Sequence, residues 1–230
     1  MSGLLTKHIG WTFLVLMTTL SVILSLYSGK VWLLPLLLTC FLYPYFLSQW
    51  IRQRRNKLLG SVLLFILLAI LIICLTTPFL PSRAEISYFH DPLLKADRDY
   101  YLLGRMRPLD RVFREGITLL AVSGALAVLS LLSIGLFFVP AMALIISSYS
   151  FYLATYLSSG AYSGLEVPLV ILLMTVLKIF VPALWGMVCS EPLISKVFSY
   201  EPSKADMRLL TICALVFSVL NILIAAILPG

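Results

Sequence analysis

The chain has 230 residues, 61% hydrophobic and 12% charged, with 17 Lys and Arg against 10 Asp and Glu for a net charge of +7. Soluble domains are about 45–50% apolar and about 25% charged, so a water-soluble fold could not bury this much apolar surface, whereas a bilayer requires it on the outside. The basic excess reads as loop ends that attract anionic headgroups. A nucleic-acid partner is excluded, because no clustered basic module is present.

Residues 11–28 make the first expected span, with Lys7 and His8 ahead of it and Trp11 as an interfacial anchor. Small residues near its end lead straight into another apolar run, so it reads as a spanning helix rather than a cleaved leader. Residues 31–49 make the second, in which Pro35 and Pro44 predict a kink or a partly unwound end. Arg52, Arg54, Arg55 and Lys57 follow with no acid among them, the clearest cytoplasmic marker. Residues 58–77 give an uncharged third span, stopped by Pro78 and Pro81.

The stretch Arg83–Glu115 is the one long run that wants water, holding seven of the 17 basic and six of the 10 acidic residues. Its end is amphipathic. Met106, Leu109, Val112 and Phe113 fall on one helical face, with Arg107, Asp110, Arg111 and Arg114 on the rest. Pro108 suits a first helical turn, and a basic amphipathic helix beside a span usually lies in the membrane interface. Arg107, Arg111 and Arg114 are therefore the candidate docking or headgroup contacts. The order, a short basic helix and then an uncharged hairpin, is compatible with ATP-driven exporters of the small six-span permease type. There such a helix docks onto a soluble ATPase, but no motif identifies this chain as a member.

Residues 116–157 hold 42 residues without a charge, enough for two spans with a hairpin at Gly135–Pro140. An apolar run over 167–189 follows, then a second polar connection over 190–206 and a last span over 207–228 carrying Asn221. The expected fold is an all-α polytopic membrane bundle of six or seven spans with one amphipathic interfacial helix. It divides into 1–82, the polar connection 83–115, and 116–230. Counting charge with seven spans and the N-terminus inside gives eight basic residues on each side, a tie that leaves the sidedness of 83–115 open.

Glu166 and Lys178 are the ionisable residues expected at membrane depth, where such groups are costly and mark function by default. Twelve residues apart, about 18 Å along a helix, they cannot pair with each other. The sequence around Glu166 suits a broken or re-entrant start lining a polar cavity, or a carboxylate at a helix N-terminus favoured by the macrodipole. His90 and Asp91 match no metal-ligand spacing and read as a solvated loop. Cys40, Cys74, Cys189 and Cys213 stand apart with no CxxC, and Ser158-Ser159-Gly160 is no nucleophile elbow. No metal or other cofactor is expected.

These residues point to a non-enzymatic, permease-like or scaffold subunit of a bacterial inner-membrane complex, serving transport or assembly. Its expected partners are the bilayer and other membrane subunits or a soluble ATPase. The alternative is a lipid-handling intramembrane enzyme using Glu166 with His90 and Asp91.

Overall fold

The computed structural model describes residues 2–28, 30, 33–52, 55–79, 108–133, 136, 138–159 and 166–227. Among them the chain is helical, with seven long helices: α1 (Ser2–Ser28), α2 (Leu33–Ile51), α3 (Arg55–Thr76), α4 (Pro108–Leu132), α5 (Phe138–Ser159), α6 (Glu166–Val197) and α7 (Lys204–Ile227). Six are long and apolar enough to cross a membrane; α5 carries the shorter apolar stretch Phe138–Ser147. The molecule is an all-helical bundle with the composition of a multi-pass membrane protein.

Each helix forms where an apolar run meets a terminator. Pro108 sits at the first position of α4, where its missing N–H leaves no bond unmade. Pro44 instead lies inside α2, and Pro182 and Pro192 lie inside α6. A proline in these positions removes one ladder bond each, which packed neighbours can offset in a membrane.

The buried residues follow helical periodicity. Leu34, Leu38, Leu42, Phe46 and Trp50 form a stripe on α2 that shares one buried cluster with Leu58, Val62, Phe65 and Ile66 of α3. Phe46 and Phe65 pack edge-on with ring centroids 6.0 Å apart. Outward-facing Leu16, Leu20 and Leu24 on α1, and Ile212, Leu215, Val216 and Val219 on α7, are exposed as lipid-facing residues are. Lipid is as apolar as leucine, so helix association here rests on close packing and polar bonds across helices. The Tyr45 and Ser61 hydroxyls supply one such bond between α2 and α3, at 3.2 Å.

α4, α6 and α7 pack on one another, while α1, α2, α3 and α5 form the other group; α6 reaches that group through α5 and α3. Where α6 passes α4, Gly186 has no room to spare: an added Cβ would come within 2.9 Å of Leu126 Cδ2 and 3.1 Å of Phe138 Cδ2. Gly186→Ala is expected to lower stability by about 1–3 kcal/mol through overpacking. Gly124→Ala, with nothing within 4 Å of the new Cβ, should be neutral or stabilising by up to about 1 kcal/mol. Thermal unfolding in detergent checks both, and equal shifts would rule out close packing at Gly186.

Contacts between helix ends also order the two ends of the bundle. Trp50, at the end of α2, bonds Glu191 near the end of α6. Gly10 lies against Tyr45, and Gly60 against Trp11. The starts of α1 and α3 therefore share an end with the close of α2 and α6. α4 runs parallel to α6, because Glu115 meets Lys178 while Leu126 and Ser130 flank Gly186. Phe79 and Pro108, which flank residues 80–107, thus lie at the opposite end from Arg52 and Lys196.

Candidate functional site

A buried ion pair joins α4 to α6. Lys178 Nζ lies 2.5 Å from Glu115 Oε1, with the two side chains only 5% and 3% exposed. The ammonium also stands 5.4 Å from the Tyr149 ring centroid on α5, within cation–π range. A lone charge at this depth would be costly. Paired and held against an aromatic face, it becomes a directional tie between three helices.

Lys178, expected at membrane depth, lies buried within the apolar stretch Leu172–Val197; Glu115, read from the sequence as part of the polar connection, is instead buried in α4. α4 begins seven residues earlier, so Glu115 is already two turns into the helix. It heads a buried stripe, Glu115, Leu119, Ser123, Leu126 and Ser130, spaced four, four, three and four residues apart. Extending that stripe back from the uncharged run reaches Glu115, a periodicity legible in the sequence but hidden by the neighbouring charges.

A second correction concerns residues 190–206, read as a polar connection. α6 continues to Val197, and Glu191 is 0% exposed. Its carboxylate is held from two sides. The Trp50 indole N–H donates to Oε2, and the Tyr200 hydroxyl donates to Oε1 at 2.9 Å. The chain reaches Tyr200 because Ser199 takes a left-handed φ of 52° just past the helix end. Pro192 does not break the helix, since these bonds and the surrounding packing hold its last turns in place.

The other candidates are more scattered. Arg107, His90 and Asp91 lie outside the described residues. Glu166 opens α6, twelve residues before Lys178, and its side chain lies outside the described set, as does that of Arg111. Arg114 is half-buried two turns into α4. Leu109 and Phe113, the apolar side of the amphipathic stretch, point outward rather than into the bundle, and the stretch runs without a break into the span.

Beside the ion pair a cavity of about 440 Å³ opens between α4, α6 and α7, bordered by Gly116, Ser123, Gly124, Trp185, Cys189 and Ser218 among others. Its walls are almost wholly apolar. The Trp185 indole N–H donates to Ser218 Oγ at 3.2 Å, and Ser218 in turn donates to the Ala214 carbonyl at 2.6 Å.

The fold and these buried ties define a multi-pass membrane protein. No family model, no curated relative and no solved structure matches the chain.

Proposed function

We propose that this chain is a non-enzymatic, permease-like subunit of a membrane complex in a bacterial inner membrane. The observation that carries the reading is the Glu115–Lys178 pair. An intramembrane carboxylate closed from solvent and engaged by a lysine holds helices together rather than meeting a substrate. The cavity beside it, open between three spans, gives the permease element of the reading.

The same geometry supports an assignment of sidedness. The end with Lys7, Arg52, Arg55, Lys57, Lys196, Lys204 and Arg208 carries seven basic residues of the described helices and turns, against Lys30, Arg111 and Arg114 at the other. We take the first as cytoplasmic. A soluble ATPase would then meet the Arg52 and Lys196 end. Arg111 and Arg114 would contact headgroups of the far leaflet, with Arg107 beside them in sequence.

Affinity purification from native membranes in mild detergent tests the reading. A second membrane chain or an ATPase should accompany the protein in fixed stoichiometry, and Glu166→Gln should leave that assembly and its cellular phenotype unchanged. Isolation of the chain by itself under every mild condition would overturn the subunit reading. Loss of phenotype in Glu166→Gln with assembly intact would support the enzyme instead.

A further inference from the structure

Glu191 gathers three segments of the chain at one end of the bundle, and each carries a cation just beyond its contact. Arg52 follows the Trp50 donor by two residues, Lys196 follows Glu191 by five, and Lys204 follows the Tyr200 donor by four. Arg208 stands one turn beyond Lys204, on the same face of α7. All four cations are exposed, and among the described residues none of them is in an ion pair. The acids of this end are the exposed Glu201, the half-buried Asp206 and Glu191 itself, which is 0% exposed and engaged inward.

These cations stand at the level of a headgroup layer. Two candidate spans end beside them, at Ile51 and Val197, and a third begins at Lys204. Val197 and Phe198, 49% and 39% exposed, turn apolar surface outward at the same level. The turn that presents them is fixed. The Phe198 and Tyr200 N–H groups donate to the Ile194 and Ser195 carbonyls at 2.9 and 3.0 Å. Between an outward Phe198 and an inward Tyr200, Ser199 holds a left-handed φ of 52°, a conformation that persists only where its surroundings impose it. A soluble anion would use the cations but not the apolar surface beside them. An anionic phospholipid uses both at this depth.

We infer that this end of the bundle holds a binding site for an anionic phospholipid, with its phosphate set among Arg52, Lys196 and Lys204 and its upper acyl region against Val197 and Phe198. This differs from the diffuse attraction of a basic loop, because the Glu191 contacts fix where cations from three helices stand. The site goes beyond the subunit reading, since a chain with no partner subunit could still hold the lipid.

The test uses the full chain, purified in mild detergent and stripped of lipid. It is titrated with dioleoyl phosphatidylglycerol or dioleoyl phosphatidylcholine, and binding is read by native mass spectrometry. The phosphatidylglycerol should bind at least about tenfold more tightly, at about fivefold for each cation that meets the phosphate. Arg52→Gln/Lys196→Gln/Lys204→Gln should abolish that preference and leave phosphatidylcholine binding unchanged. Tyr200→Phe removes no charge but frees the turn that leads to Lys204, and should weaken phosphatidylglycerol binding about threefold through lost preorganisation. Equal binding of the two lipids by the unaltered protein overturns the inference. So does a preference that Tyr200→Phe leaves intact, which would reduce it to diffuse charge attraction. Displacement of the lipid by an excess of inorganic phosphate also overturns it, by making the site one for a soluble anion. The subunit reading fails separately, by purification without any partner.

Discussion

Lys178→Met should destabilise the bundle by about 3–5 kcal/mol, because it leaves Glu115 buried with its cation removed. Glu115 is 3% exposed, two turns into α4. The loss should show as a large fall in unfolding temperature and poor recovery from membranes. The double variant Glu115→Leu/Lys178→Met separates pairing from packing. Replacing both partners with apolar side chains removes the desolvation penalty along with the attraction, so stability should return close to that of the unaltered chain. A double variant as unstable as Lys178→Met would show that the lysine acts through its stem and the Tyr149 contact rather than through Glu115.

Glu191→Ala is the second large effect, expected at about 2–4 kcal/mol, since it removes the carboxylate that accepts one buried and one part-buried hydrogen bond. The Trp50 indole and the Tyr200 hydroxyl come from the close of α2 and from the turn after α6. The variant therefore loosens both elements at one end of the bundle. Glu191→Gln keeps one acceptor oxygen and should fall between the two. Trp50→Phe and Tyr200→Phe each remove one donor, and a double-mutant cycle of either with Glu191→Gln should give a coupling of about 1 kcal/mol. Additive losses would mean that Glu191 is held by the fold rather than helping to hold it.

How far these ties could be read from the sequence depended on the kind of signal. Span positions were legible, because long uncharged runs such as 58–77 have no reading other than a buried or lipid-facing helix. The helix starting at Pro108 was legible from proline chemistry and one amphipathic face. The pairing of Lys178 was not, since its partner lies 63 positions earlier and nothing local marks one acid among six as the buried one. Glu191 was obscured by Pro192, Lys196 and Glu201, which together resemble a loop. Only the approach of Trp50 from the other half of the chain makes that carboxylate an interior group.

The Glu115–Lys178 tie also bears on how the chain is made. α4 reaches the membrane before α6 and carries its carboxylate in without the lysine that will neutralise it. α6 later brings a lysine with 12 residues of its helix before it and 19 after. A charge at the centre of a span raises the cost of lateral release from the insertion machinery by about 2.5–3.5 kcal/mol, and one nearer the end, as Glu115 is in Val112–Leu132, by less. The two helices are thus each reluctant inserters that become compatible with lipid as a pair, with α5 passing between them in the order of synthesis. Insertion of this half of the molecule is then expected to be concerted rather than helix by helix. A chain that stops before α6 would present quality control with an unneutralised acid in the membrane.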